Sequence, residues 1–187
     1  PGRYRSFVVY EPKRREILAA PYRDRVAQHA ICNICGPIWD RSMIFDNYAC
    51  RTGKGTHVGA DRVEKLLRGM VASGDTWVLK MDVSKYFFSI RHDLAKAVIR
   101  DRIRCAATLR VLDAIIDSTA DPSDPDPVGI PVGNLTSQWI ANLVGNRLDQ
   151  WAKRELRLAR YARYMDDMVV LVRTKDEALA IREEFDA

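Results

Sequence analysis

The stretch that decides the reading is Arg160-Tyr161-Ala162-Arg163-Tyr164-Met165-Asp166-Asp167-Met168-Val169-Val170-Leu171-Val172. Aromatic and β-branched residues alternate on both sides of an acidic pair, so residues 161–172 predict a β-hairpin centred on Met165-Asp166-Asp167. Aspartate tolerates left-handed backbone and bonds its own main chain, and by itself such a pair reads first as turn chemistry. A second strand, Trp77-Val78-Leu79-Lys80-Met81-Asp82-Val83, delivers Asp82 at its end. If the two strands are neighbours in one sheet, three carboxylates converge, and they raise one another's pKa values unless a cation neutralises them. Mg²⁺ suits such a place, because it takes hard oxygen ligands from one or two carboxylates and leaves positions open for substrate phosphates. Two such ions, with Mn²⁺ as a substitute, support an in-line phosphoryl transfer from a nucleoside triphosphate to a 3′-hydroxyl.

Outward from this core the chain mixes helices and strands in irregular order. A helix is predicted over 175–185, and a long one over 135–158 with Asn134, Thr136 and Ser137 as candidate caps. Residues 121–127, Asp-Pro-Ser-Asp-Pro-Asp-Pro, are an acidic proline loop, and the stretch before them is helix-rich to about residue 118. Gly53-Lys54-Gly55-Thr56 interrupts the chain ahead of a helix over 58–71. Pro21 opens an earlier helix, with Val26, Ala30, Ile34 and Ile38 on one predicted core face. Residues 6–10 and 16–19 read as a hairpin around the basic turn Glu11-Pro12-Lys13-Arg14. This pattern is α+β. Trp39, Trp77, Trp139 and Trp151 fall in apolar patterns and are expected in the core; Cys32 and Cys35 lack a second ligand pair and read as packing.

With 187 residues, 47% hydrophobic and 29% charged, the chain has enough apolar content for a packed domain. No apolar run approaches the roughly 20 residues of a membrane-spanning helix, the N-terminus has no apolar signal region, and four irregularly spaced cysteines make no disulfide framework; a reducing cytoplasm and no membrane partner are expected. The net charge is +5, and residues 1–75 hold all of the excess, 13 Lys and Arg against 8 Asp and Glu. A basic segment joined to a balanced one points to a polyanionic partner.

Tyr164-Met165-Asp166-Asp167 resembles the Tyr-X-Asp-Asp motif of reverse transcriptases. Asp82-Val83-Ser84-Lys85-Tyr86-Phe87 is similar to the first palm motif of those enzymes, and Gly129-Ile130-Pro131-Val132-Gly133-Asn134-Leu135-Thr136-Ser137-Gln138 to the intervening one. Residues 21–28 and 49–57 resemble the fingers motifs of bacterial members. The resemblance implies a right-hand polymerase fold, a palm with an antiparallel sheet packed on helices plus a fingers lobe. It implies fingers over 1–75, sharing part of 119–133, and palm over 76–187. The partners implied are an RNA template, a DNA or RNA primer and deoxynucleoside triphosphates, in a bacterial or phage-encoded enzyme. Asp82, Asp166 and Asp167 become the catalytic and metal-binding carboxylates, with the Val83 carbonyl as a backbone ligand. Arg51 and Lys54 meet the triphosphate, as do the backbone amides of Lys85 and Tyr86; Phe87 crowds a ribose 2′-OH, and Val132, Gly133 and Gln138 complete the nucleotide site. Tyr164 and Met165 lie near the primer end. Arg3, Arg5, Lys13, Arg14 and Arg15 are template-phosphate candidates on charge alone.

Val132 stands where retroviral, retron and group II intron enzymes generally carry glutamine, and an aliphatic residue followed by Gly133-Asn134-Leu135-Thr136-Ser137-Gln138 looks like the reverse transcriptases of diversity-generating retroelements. Residues 50–57 resemble that group too. Such enzymes copy a template-repeat RNA with frequent errors opposite adenine and work with a small basic accessory protein. A group II intron-like or retron-like enzyme is the competing assignment. No primer-grip segment or helical thumb is located after the hairpin, so a catalytically weak nucleic-acid-binding fragment is the alternative of a different class.

Overall fold

The computed structural model of the chain describes residues 1–10, 14–121 and 123–186. Its elements are β1 (Arg5–Val9), β2 (Arg15–Ala19), α1 (Tyr22–Asp40), α2 (Thr56–Val71), β3 (Trp77–Asp82), α3 (Tyr86–Ser89), α4 (His92–Arg100), α5 (Ala106–Ile116), a 3₁₀ turn (Asp117–Thr119), α6 (Leu135–Arg154), β4 (Tyr161–Tyr164), β5 (Asp167–Val172) and α7 (Lys175–Asp186). They form two compact units, each made from two stretches of chain: Pro1–Met43 with Ser84–Val144, and Ile44–Val83 with Gly145–Ala187.

In the unit of residues 44–83 and 145–187, the strands make an antiparallel sheet in the order β3-β5-β4. Alternation of side chains sorts its two faces. Leu79 and Met81 of β3, Met168, Val170 and Val172 of β5 and Tyr161 of β4 join one core, which Leu148, Trp151 and Ala152 of α6 and Ala178, Ile181 and Phe185 of α7 complete. Each large side chain buried there contributes roughly 1.5–3 kcal/mol relative to exposure. The opposite parity holds Lys80, Asp82, Asp167 and Tyr164. Trp77 shares the core parity but begins an edge strand, and contrary to expectation it is 46% exposed. Helix α6 stops at Arg154, four residues short of the predicted end. Arg157 adopts a left-handed φ of 53°, and the Leu158 N–H bonds the Ala152 carbonyl at 2.9 Å, closing the helix end before the apolar pattern runs out.

In the unit of residues 1–43 and 84–144, β1 and β2 pair antiparallel with Arg5 opposite Ala19. Residues 11–13 of the predicted basic turn lie outside the described residues, as does Pro122 of the proline loop. Pro21 precedes α1 at φ −52°, already set for helix entry. The predicted core face of α1 is not the buried one: Val26, Ile34 and Ile38 are exposed, while Gln28, Cys32, Cys35, Gly36 and Trp39 are buried. The reason is aromatic packing. The Trp39 and Trp139 rings lie 5.9 Å apart, and Trp139 sits against Gly36 so closely that a Cβ there would stand 3.1 Å from its ring. Packing the buried Trp39 indole against the half-buried Trp139 outweighs burial of three aliphatic side chains. None of the candidate caps closes α6 through its side chain. The Asn134 amide nitrogen donates to the Tyr4 hydroxyl at 2.9 Å, and Asn134 Oδ1, Thr136 Oγ1 and Ser137 Oγ are buried without hydrogen-bond partners.

Candidate active site

The strand register brings the acidic residues to one end of the β3-β5-β4 sheet. Asp82 lies opposite Asp167, and Tyr164 opposite Asp167 from the other side, so the three form a row across all three strands on the polar face. Asp166 occupies the two-residue loop between β4 and β5 with Met165. Met165 has φ 56°, the left-handed sign that hairpins favour at this position and normally give to glycine. For a residue with a long side chain this costs about 1–2 kcal/mol. Lys80, two residues before Asp82 and on the same face, places its ammonium 3.0 Å from Asp167 Oδ1. That hydrogen bond, with the charges of Asp167 and Asp82, raises the Lys80 pKa above its ordinary value.

The expected convergence of three carboxylates is met only in part. Among the described residues no group of three or more His, Cys, Asp or Glu side chains is gathered to hold a metal ion. Like charges repel without a cation between them, and here the Lys80 ammonium provides the counter-charge. The donor chemistry nevertheless fits a hard divalent ion, which needs only one or two carboxylates from the protein.

Behind the hairpin stands an ion pair that the sequence reading missed. Arg163 and Asp149 are buried almost completely, with side chains 1% and 0% exposed. The guanidinium grips the carboxylate with two parallel bonds, Nε to Oδ1 at 2.7 Å and Nη2 to Oδ2 at 2.8 Å, and its Nη1 donates to the Met165 carbonyl at 2.6 Å. The Tyr161 hydroxyl donates to Asp149 Oδ1 at 2.8 Å. Removing one partner of such a pair typically costs about 3–5 kcal/mol, because the other charge is left buried and uncompensated. The available signal was parity: Arg163 shares the strand face of Tyr161, so a charge was being sent inward and required a partner.

The predicted triphosphate cations of this unit are engaged with the chain. Arg51 Nη1 donates to the carbonyls of Ile44 and Asn47 at 2.7 and 2.9 Å. Lys54 Nζ donates to the Phe45 carbonyl at 2.9 Å and lies 3.7 Å from the Phe45 ring centre. Gly53 and Gly55 on either side have φ 72° and 126°, which lets the loop turn so tightly. Asp46 is the anchor, accepting from Tyr48 at 3.0 Å, Arg62 at 2.9 Å and Lys153 at 3.4 Å. Burial, followed by the Asp46 charge, pushes the Tyr48 hydroxyl up to about 12.

The remaining nucleotide-site candidates belong to the other unit. Lys85 is exposed with φ 53°, Tyr86 is buried and donates its hydroxyl to the Ala141 carbonyl at 2.7 Å, and Phe87 is half-buried with its ring edge-on to Tyr86. The Val132 carbonyl accepts from Leu18 N–H at 3.0 Å, and Gly133, at φ 110°, lies so near β2 that a Cβ there would stand 3.0 Å from Ile17. Gln138 is half-buried in the first turn of α6. Of the template candidates, Arg3 and Arg5 line a cavity of about 500 Å³ together with Phe7, Tyr22 and Arg25. Arg14 is exposed; Lys13 and the Arg15 side chain lie outside the described residues.

An antiparallel three-stranded sheet that carries aspartate at a strand end and in the neighbouring hairpin, backed by two helices, is a polymerase palm arrangement. The chain belongs to the reverse transcriptase (RNA-dependent DNA polymerase) family, matching it over residues 11–187. It is 25% identical over 215 residues to Protein YkfC of Escherichia coli, covering 94% of this chain and 56% of that protein. It is 26% identical over 141 residues to a putative COX1/OXI3 intron 1 protein of Saccharomyces cerevisiae, covering 73% of this chain and 16% of that one. The chain thus spans little more than half the length of one curated relative and a small part of the other. Among solved structures, apo telomerase from Candida tropicalis superposes with a TM-score of 0.70 at 10% identity, over 99% of this chain and 41% of that one. Telomerase from Candida albicans, in complex with a fragment of telomeric RNA, superposes with a TM-score of 0.66 at 8% identity, over 98% and 40%. The fold is therefore α+β and of the right-hand polymerase kind. No helix among the described residues is long and apolar enough to cross a membrane.

Proposed function

We propose that the chain is the fingers and palm portion of an RNA-directed DNA polymerase, residues 1–75 with part of 119–133 contributing fingers and 76–187 palm. The observation that carries this reading is the register that sets Asp82 beside Asp167, with Asp166 in the turn of the same hairpin. Asp82, Asp166 and Asp167, with the Val83 carbonyl, are the groups that would hold divalent cations, Mg²⁺ by preference. Ions held there would make a primer 3′-hydroxyl a better nucleophile and would neutralise the charge of the departing pyrophosphate. The polypeptide's own part is positional. Lys85 and Tyr86 present backbone amides to the phosphates, Arg51 and Lys54 supply positive charge, and Phe87 crowds the sugar edge. Tyr164 and Met165 meet the primer end. Arg3, Arg5 and Arg14 take template phosphates, and Phe7 and Tyr22 beside the first two suit a single strand. The family match, to RNA-dependent DNA polymerases, favours RNA as the template.

Primer extension on a defined RNA template, with one deoxynucleotide supplied at a time, tests the reading. Extension that needs a divalent metal and falls by at least about 10³-fold in Asp166→Ala is expected, since such a step draws on metal-held charge stabilisation; salt-sensitive RNA binding with no extension in either protein would identify a binding domain instead.

The finer assignment, to the error-prone enzymes of diversity-generating retroelements with a small basic accessory protein as partner, rests on Val132. A glutamine amide there would hydrogen-bond the nascent pair, whereas valine only packs, and apolar packing separates substrates by about 1–3 kcal/mol. Frequent misinsertion opposite adenine, reduced in Val132→Gln, is the expected result. Accurate extension would move the chain toward the group II or retron branch.

A further inference from the structure

We infer that the buried Arg163–Asp149 pair is a positioning device for the Met165-Asp166 turn, one that ties the acidic end of the sheet to the loop bearing Arg51 and Lys54. The inference rests on the reading of Asp166 and Asp167 as metal-binding carboxylates. Three observations carry it. The guanidinium spends Nε and Nη2 on Asp149, and its fork then points Nη1 at the carbonyl of Met165. Met165 is the residue held in the left-handed region, so the bond falls on the peptide most ready to relax. Arg163 is also held through its backbone: its N–H donates to the Asp46 carbonyl and its carbonyl accepts from the Tyr48 N–H, both at 2.9 Å. Asn47, between them, bridges to Arg163 and offers its side-chain amide to Asp149 Oδ2 at 3.5 Å.

Arg163 therefore bonds the catalytic turn with its side chain and the 46–48 segment with its main chain. Arg51 closes the circuit by donating to the carbonyls of Ile44 and Asn47. Fixing the Met165 carbonyl fixes the plane of the peptide that enters Asp166, and with it the direction in which the carboxylates leave the backbone. A buried ion pair is a poor source of stability compared with an apolar pair of similar size, and the geometry it imposes is the better account of its presence. Lysine at position 163 retains the charge but not the fork, so it cannot hold Asp149 twice and Met165 as well.

The test uses the 187-residue chain as parent, Arg163→Lys, Tyr161→Phe and Asp166→Ala, with thermal melting as the measure of folding. Mn²⁺ binding is followed without substrate by water-proton relaxation, and kcat and KM for the deoxynucleotide by primer extension. For Arg163→Lys the expected result is a cooperative melt, Mn²⁺ affinity lower by about tenfold, and kcat lower by about 100-fold with KM changed less than about threefold, because a displaced ligand affects the reacting geometry more than ground-state binding. A purely structural role moves the melting temperature and leaves the Mn²⁺ affinity of the folded fraction alone. Mn²⁺ binding that is lost in Asp166→Ala but unchanged in folded Arg163→Lys overturns the positioning role only. Binding unchanged in Asp166→Ala overturns the carboxylate reading and the inference with it. If Arg163→Lys does not fold, Tyr161→Phe decides: it removes one bond to Asp149 and keeps the charge pair, weaker Mn²⁺ binding supports the inference, and unchanged binding overturns it.

Discussion

Cysteine chemistry in this chain divides by residue environment. Burial pushes the Cys32 thiol up to about 12, with Cys35 nearby adding to the effect, and burial likewise raises Cys35 and Cys50. Cys105 is exposed ahead of α5, and hydrogen bonds from the Thr108 side chain and backbone, then from the Ala107 amide, hold its thiol below the ordinary value. The thiolate is the nucleophile, so a lower pKa means more reactive species near neutrality. At about pH 8, iodoacetamide is expected to label Cys105 at least about tenfold faster than Cys32 or Cys35, because the reaction follows thiolate fraction and access. Peptide mass mapping over time reads this directly, and equal labelling of all three would refute the assigned burial. The same contrast supports reading Cys32 and Cys35 as packing residues, which they are: both are buried in α1 as free thiols.

At the scale of elements, α4 and the 3₁₀ turn are joined by a buried histidine. His92 faces Asp117 Oδ1 through Nδ1 at 3.1 Å and the Gly129 carbonyl through Nε2 at 2.8 Å, while Lys96 Nζ lies 2.7 Å from Asp117 Oδ1. Burial alone would raise the Asp117 carboxyl, but hydrogen bonds and charge from Lys96 and His92 outweigh it and hold the group below its ordinary 3.8. A depressed folded-state pKa contributes stability that is present above the unfolded value and is lost as pH falls through the folded one. Asp117→Asn is therefore expected to lower the melting temperature at pH 7, with the gap to the parent closing as pH falls below 3.8 and through the depressed folded-state value, where the parent's carboxyl is protonated too. A gap that persisted in acid would assign the effect to shape rather than charge. The meeting of α1 with Trp139 gives a second expectation. Gly36→Val places its side chain against the indole, where a Cβ alone stands 3.1 Å away, and is expected to destabilise by about 1–3 kcal/mol in denaturant unfolding. The close approach at Gly36 is also why periodicity points to the wrong face of α1: Val26, Ala30, Ile34 and Ile38 recur at helical spacing, but the pattern weighs aliphatic side chains and cannot see which turn a tryptophan will fill.

For the molecule as a whole, the excess positive charge lies in residues 1–75, and Arg3, Arg5 and Arg25 line one cavity with Phe7 and Tyr22. Arg25 also stacks over the Tyr22 ring at 5.7 Å. Cations interleaved with exposed aromatics suit a single strand, whose phosphates release counterions and whose bases stack. Anisotropy titrations with single-stranded RNA at several salt concentrations are expected to show affinity falling with salt. Replacing the three arginines with alanine is expected to make the log–log slope shallower by about 2, at roughly 0.7 for each phosphate of a single strand that is no longer neutralised. An unchanged slope would move the polyanion-binding surface elsewhere.

Much of the candidate site was legible in the residues alone. Strand alternation placed Asp82 at a strand end and Asp166-Asp167 in a hairpin, because a period of two and the turn preference of aspartate are local properties that need no knowledge of neighbours. The α+β class followed from the order of those local patterns. What the tertiary structure decided is everything that depends on a partner distant in sequence. Register across β3 and β5 set Asp82 beside Asp167. A tryptophan from α6 chose which face of α1 is buried. Asp149, 14 residues before Arg163, turned an inward-pointing cation into the support of the turn. A side chain's periodicity reports which way it points along its own element, whereas the energy of burying it depends on what the fold brings to meet it.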